Sequence, residues 1–283
     1  MPYLIRILNV FLTVTTDFGV ILNSPYIGKK KLQLLFAYIK ITIIQHSVGK
    51  FLNIKKVSFL SFQVETFNFY SFYYLFREIF VLGTYYSDQS PKLIIDCGAN
   101  IGMATLYFKW LWPDVKIESF EPDKKTFELL EINIKNNKLL NINLINKAVS
   151  DKDGSINFYS DVNRLGSLKM STMKERVGEL CSVGNKVPSI DFANFLGSKE
   201  VDILKMDIEG AEYVVMKKIT EAGLLKNISE LFIEYHHNLL NKENFSDFLS
   251  FFEKKEKKYI LNTSLSNFKL YKTQSQDILL YVR

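Results

Sequence analysis

Carboxylates stand at places in this chain where they could do chemistry: Asp96, Glu121, Asp207, Glu209, Glu212 and Glu234. Asp96 opens the run Asp96-Cys97-Gly98-Ala99-Asn100-Ile101-Gly102, an acid followed by two glycines with three residues between them. Glycines in such a loop admit backbone angles that other residues avoid and let a ligand approach closely. A helix start beyond them leaves amide hydrogens free for an electronegative ligand group. The spacing departs from the G-x-G-x-x-G of dinucleotide sites. Asn100 stands where the second glycine would let a pyrophosphate come close.

That departure counts against a nicotinamide or flavin dinucleotide and favours S-adenosylmethionine, which has no phosphates and carries an ammonium and a sulfonium. Asp96, Gly98, Asn100 and Gly102 form the expected cofactor loop, with the acid near the cationic end. Glu121 follows Asp96 by 25 residues. A carboxylate there can accept both ribose hydroxyls, although dinucleotide enzymes use the same device. Ala148, in Lys147-Ala148-Val149, is expected near the adenine. Asp207 is the first candidate for the base that removes a hydroxyl proton, and His236 is the second. Lys205, Glu209 and Glu234 are expected on the acceptor side. The plainer alternatives are an acidic helix start for Asp207, Glu209 and Glu212, and a merely structural histidine. A magnesium site from Asp207, Glu209 and Glu234 is the minor alternative; no metal is expected.

Elements must place these groups. Residues 1–22 and 31–49 read as helices, 56–70 as a hairpin or paired strands, and 71–82 as a helix with Phe72, Leu75, Phe76, Ile79 and Phe80 on one side. From 92 onward strands and helices alternate. Strands are expected at Lys92–Cys97, Lys116–Phe120, Asn141–Asn146, Val201–Met206, Glu230–Tyr235, Lys258–Asn262 and Ile278–Val282. Helices are expected at Gly102–Trp112, Lys124–Asn136, Ala211–Thr220 and Asn244–Lys258. Residues 148–160 read as a turn and a strand, and 161–186 as a long loop with a helical turn. The alternation predicts an α/β fold with a Rossmann-like, mostly parallel seven-stranded sheet and helices on both faces. The last two strands lack a helix between them, so one should run antiparallel. Ligand groups then belong at the carboxyl ends of the strands. The expected division is an N-terminal extension, 1–90, and a Rossmann-like domain, 91–283.

At this point the sequence resembles the FkbM family of methyltransferases. The resemblance rests on Ile95 to Gly102, Phe120-Glu121-Pro122, Ala148-Val149-Ser150-Asp151 and Lys205 to Glu212, with Arg77-Glu78-Ile79-Phe80 and Tyr85-Tyr86 upstream. It covers roughly residues 70–240, and Cys97 sits where a valine is common. It implies O-methylation of a hydroxyl on a sugar, glycan or secondary metabolite. The alternatives are a nicotinamide-dependent oxidoreductase and a non-catalytic membrane-associated binding protein on the same fold.

Composition bounds the rest. Hydrophobic residues make up 47% of 283, enough for a large core, and 23% are charged, ordinary for a folded protein. Cys97 and Cys181 are the two cysteines, so neither a zinc cluster nor a disulfide framework is expected. Cys97 reads as a small core residue. The net charge is +6, and its excess is concentrated in the first 90 residues. Arg6, Asn9 and Asp17 make residues 1–22 a poor membrane span, and Leu32–Ile44 is too short. The expected partner is a small-molecule or glycan acceptor without nucleic acid. Peripheral membrane contact through the basic N-terminal third is an added expectation, and a dimer is left open. The expected location is cytoplasmic.

Overall fold

The apolar residues of the first third have helical spacing, and two helices form there: α1 (Pro2–Asn23) and α2 (Lys29–His46). They run antiparallel, since Lys31 Nζ donates to Leu22 O at 2.8 Å while Tyr38 OH donates to Asp17 Oδ2 at 3.1 Å. Asp17, the acid that interrupts the apolar run, is fully buried. Arg77 grips it in a two-pronged ion pair, Nε to Oδ2 at 2.7 Å and Nη2 to Oδ1 at 2.6 Å. Such planar fork pairing is what allows a charge to be buried at all.

The alternating stretch forms a hairpin, β1 (Lys56–Phe59) and β2 (Phe62–Glu65), whose Val57, Phe59, Phe62 and Val64 face inward. Helix α3 (Phe69–Phe76) starts at Asn68, whose side chain accepts from Ser71 N, and widens into a π-helical turn at Arg77–Val81. Phe72, Phe76 and Phe80 stack along this segment and meet the edge of Phe59 at ring distances of 5.2–5.4 Å. Leu75, expected on that same side, is only partly buried.

The computed structural model describes residues 2–47, 52–161, 182–237, 245–263 and 276–283. It divides into two units, Met1–Asp88 and Gln89–Arg283. In the second unit the alternation yields β3 (Leu93–Cys97), α4 (Met103–Leu111), β4 (Lys116–Phe120), α5 (Lys124–Asn136) and β5 (Ile142–Ile145). Then come β6 (Ala148–Ser150), β7 (Gly154–Asp161), β8 (Ser182–Asp191), α6 (Phe192–Leu196), β9 (Val201–Met206) and α7 (Glu212–Glu221). The chain finishes with β10 (Ile228–His237), α8 (Phe245–Glu253), β11 (Tyr259–Thr263) and β12 (Gln276–Val282).

Seven strands form one sheet in the order β11-β12-β10-β9-β3-β4-β5. All neighbours are parallel except β12, which is antiparallel to both β10 and β11. This is the expected α/β arrangement, with the antiparallel strand in the last pair. The central strands are continuous apolar runs because helices cover both faces. The order reverses beside β3, with β4 on one side and β9 on the other, which opens a crevice at their carboxyl ends.

Two sequence expectations need correction. Residues 182–186 are strand, not loop: β8 pairs antiparallel with β7 from Asp161↔Ser182 to Gly154↔Ser189, in a small sheet ordered β6-β8-β7. Ser182 to Lys186 carries little apolar alternation because its pairing is dictated by β7. The rest of that predicted loop, with Cys181, lies outside the described residues. Strand β10 also runs on through His236 and His237 rather than ending at Tyr235. Its antiparallel partner β12 continues the ladder to His237↔Gln276, beyond the end of β9.

Candidate active site

A cleft opens at the carboxyl ends of β3, β4 and β9. Its wall includes Gly98, Asn100, Glu121, Ala148, Asp207 and Glu209, so six of the residues singled out from sequence come together there. Apolar surface from Phe120, Val149, Phe158 and Ile208 completes it. Asp96, Gly102, Lys205, Glu234 and His236 are not on that wall.

The loop after β3 is tied to both neighbouring strands. Gly98 N and Ala99 N donate to Phe120 O at 3.0 and 2.8 Å, and Asp207 N donates to Cys97 O at 3.0 Å. Gly98 has φ +81°, and a Cβ there would lie 1.8 Å from the Asp207 carbonyl oxygen. Its glycine is therefore demanded by the neighbouring chain, a different reason from the ligand approach expected of it. Gly102 has φ +94°, and a Cβ there would meet Leu130 Cδ1 at 2.7 Å, so it serves helix packing. Asn100 takes the left-handed region at φ +51°. Asparagine tolerates this because its short side chain can bond locally, and here Oδ1 accepts from Ile101 N at 2.8 Å.

Glu121 is 4% exposed. Its Oε2 accepts from Asn100 N and its Oε1 from Asp123 N, each at 2.9 Å. Burial pushes its carboxyl up to about 8, against the lowering effect of those backbone donors. Each oxygen has one backbone bond and keeps a further lone pair for a hydroxyl donor.

Asp96 is completely buried, and its charge is absorbed inside the protein. Thr105 Oγ1 donates to its Oδ2 at 2.8 Å, and Lys205 Nζ lies 3.3 Å from its Oδ1. Lys205, 3% exposed, also donates to Gly98 O at 2.6 Å and stands 3.8 Å from Asp207 Oδ2. Burial disfavours its ammonium, but Asp96 and Asp207 outweigh that and hold Lys205 above its ordinary value, with Glu234 adding to the same field. Lys205 thus clamps the loop after β3 to the strand end bearing Asp207. Cys97 is buried, and burial pushes its thiol well up, as suits a core residue.

Behind Asp207 sits His236, whose side chain is fully enclosed. Its Nδ1 is 2.9 Å from Glu212 Oε1. Its Nε2 faces Glu209 Oε2 at 3.5 Å, Glu234 Oε1 and Asp277 Oδ1 at 3.8 Å, and Asp207 Oδ1 at 3.9 Å. Glu212 is 1% exposed and accepts from Ile208 N and Gly210 N, which ties down a loop where Glu209 has φ +58°. Burial would raise the Glu212 carboxyl, but His236 and the Gly210 amide hold it below the usual range. The ligand atoms of Asp207, Glu209 and His236 lie within 4.8 Å of one another, as do those of Glu234, His236 and Asp277. Either trio has the oxygen-rich make-up that a hard divalent cation accepts.

Sequence reasoning missed three contributions. Phe158 reaches the cleft from β7, and Asp277 reaches His236 from β12. Both come from strands whose pairing is non-local, and no short-range signal marks them. Glu212 was visible as an acid three residues beyond Glu209, but its bond to His236 depends on β10 extending past Tyr235.

The chain is 27% identical over 170 residues to Methyltransferase 1 of Beauveria bassiana (strain ARSEF 2860), covering 52% of this chain and 67% of that protein. It is 26% identical over 187 residues to Methyltransferase sdnD of Sordaria araneosa, covering 55% and 72%. Among solved structures, the methyltransferase FkbM of Methylobacillus flagellatus KT aligns over 97% of this chain at 12% identity and a TM-score of 0.48. This chain spans 60% of the length of that protein. The methyltransferase FkbM domain matches residues 96–261, which include the loop after β3, Glu121 and the Asp207–Glu212 segment. The chain belongs to the FkbM methyltransferase family.

Proposed function

We propose that this chain transfers a methyl group from S-adenosylmethionine to a hydroxyl oxygen of a sugar, glycan or secondary metabolite. The observation that carries the reading is the acidic cleft wall: Glu121, Asp207 and Glu209 border one space at the strand ends. A pyrophosphate would face the carboxylates of Asp207 and Glu209 there, whereas a ligand with an ammonium and a sulfonium would gain from them. When bound, the cofactor supplies a methyl carbon already activated by its sulfonium, so the protein's main task is alignment.

The residues divide that task. Glu121 offers both oxygens to ribose hydroxyls and is steadied by Asn100 N and Asp123 N. Ala148 and Phe158 give apolar surface for a base ring. Asp207 is the base on the cleft wall: its Oδ1 accepts no hydrogen bond from the described residues and is directed toward His236 Nε2. An ionised Glu212 can only accept, so His236 Nδ1 carries a hydrogen toward it and Nε2 is the nitrogen turned to Asp207. His236 acts from behind Asp207, taking up charge or a proton, while Glu209 meets the acceptor.

Titration calorimetry with S-adenosylmethionine and with NAD tests the cofactor. Binding of NAD alone would replace the reading with a dinucleotide enzyme. For the base, Asp207→Asn should keep cofactor affinity within a fewfold and lose at least a hundredfold in methyl transfer to a panel of hydroxylated acceptors. Unchanged transfer would remove Asp207 from that role.

A further inference from the structure

Among the described residues, half of the exposed large hydrophobic side chains sit within 36 residues. Of the eighteen, nine fall between Leu8 and Ile43. On α1, Phe11, Leu12 and Leu22 are 62%, 51% and 55% exposed; on α2, Leu32, Phe36 and Ile43 are 54%, 63% and 61% exposed. On α2 they recur at helical spacing opposite the buried Leu34, Ala37, Tyr38 and Ile41. That helix is therefore apolar on both its inner and its outer side, a pattern ordinary for a helix with no side left in water. The antiparallel pairing puts Leu22 level with Leu32, and Phe11 and Leu12 level with Ile43. The outer faces can then form one apolar surface along the hairpin.

Charge lies beside it. Lys29, Lys30 and Lys31 cluster at the turn between the helices, where Lys31 donates to Leu22 O, and Lys40, farther along α2, donates to Ser58 O. Asp17 is the single acid between residues 2 and 47, and it is buried against Arg77. The surface offered is thus apolar and cationic. We propose that the α1–α2 hairpin docks flat on an anionic lipid surface, with Phe11, Phe36 and Ile43 entering the acyl boundary and the exposed Lys29 meeting the headgroups. No helix among the described residues is long and apolar enough to cross a membrane, so the contact lies in the interface plane. A symmetric pairing of two copies over this face would use the same patch twice and bring like lysine clusters toward one contact. An anionic leaflet satisfies both the apolar and the cationic part.

This inference is independent of the reading of the cleft, and it is tested on the full chain. Sedimentation is measured with phosphatidylcholine vesicles containing or lacking phosphatidylserine. Binding is expected to the anionic vesicles and to fall steeply with salt. Lys29→Gln should weaken partitioning about fivefold. The triple variant Phe11→Ser/Phe36→Ser/Ile43→Ser should lower it more than a hundredfold, with an unchanged far-ultraviolet spectrum. Absence of binding to anionic vesicles overturns the proposal, as does binding that the triple variant leaves intact. A dimer in ultracentrifugation that the triple variant abolishes, without vesicle binding, would assign the face to a second copy instead and also overturn it.

Discussion

Replacing Glu121 by glutamine separates what this carboxyl does for stability from what it does for the ligand. Its folded value of about 8 stands about 3.5 units above the ordinary 4.5, through burial. A carboxyl raised on folding favours the protonated folded protein. Its contribution is complete below the unfolded value and is lost as pH rises through the folded one. The slope is about 1.4 kcal/mol per pH unit between those limits. From about pH 5 to about pH 8.5 the wild-type protein should therefore lose about 4 kcal/mol through this one group. Glu121→Gln removes the titration. It should also lose one of the two acceptors for Asn100 N and Asp123 N, a roughly constant penalty of about 1–3 kcal/mol. The variant is then the less stable protein near pH 5 and the more stable one near pH 8.5. The assay is urea unfolding followed by tryptophan fluorescence. Both tryptophans, Trp110 and Trp112, lie in or just after α4, so the signal reports on the unit that holds Glu121. Affinity should move in the opposite sense. In the proposed function S-adenosylmethionine meets the ionised carboxylate, so its Kd should fall about tenfold per unit from about pH 6 to about pH 8 and then level off. Parallel pH profiles of stability for the two proteins would refute the reasoning, whatever happens to affinity.

Other residues give sharper tests. Gly98→Ala drives a Cβ into the Asp207 carbonyl and holds alanine at positive φ; it should cost about 3 kcal/mol or more and abolish cofactor binding in calorimetry. Asp17→Ala leaves Arg77 without its buried partner and should cost about 3–5 kcal/mol. That loss should appear as faster proteolysis within residues 1–88, with unfolding by tryptophan fluorescence unchanged. Glu212→Gln keeps the shape beside His236 but removes the charge. Methyl transfer should fall at least tenfold with cofactor affinity nearly unchanged, and its pH profile should shift; a uniform loss at every pH would reduce Glu212 to a loop anchor.

The strand ends could be read from sequence because three signals coincide there. The buried runs at β3, β4 and β9 are short and apolar, each closes on an acid or a glycine loop, and each is followed by helical spacing. Lys116–Phe120, Lys124–Asn136 and Val201–Met206 form with the expected bounds. What the sequence hid is what distant pairing decides. Asp96 and Lys205 look like ligand groups along the chain, yet the β3–β9 ladder sets them opposite each other. They satisfy one another in the interior. The extension of β10, and with it the burial of His236, follows from β12, about forty residues farther on. Ser182 to Lys186 has no pattern of its own because β7 supplies its register. Gly184 there is required by the ring of Tyr159, 2.9 Å from where a Cβ would stand.

Strand β12 lies between β10 and β11, although it follows both along the chain. This fixes an order in time. As the polypeptide leaves the ribosome, β10 can dock on β9, but its outer edge stays bare until Gln276–Val282 emerges. Strand β11 has no place in the sheet before that moment. Asp277, 3.8 Å from His236 Nε2, arrives with the same strand. The acidic group behind the cleft is therefore completed only when β12 docks. Until then the nascent chain carries an open strand edge, the kind of feature that invites pairing with the wrong neighbour.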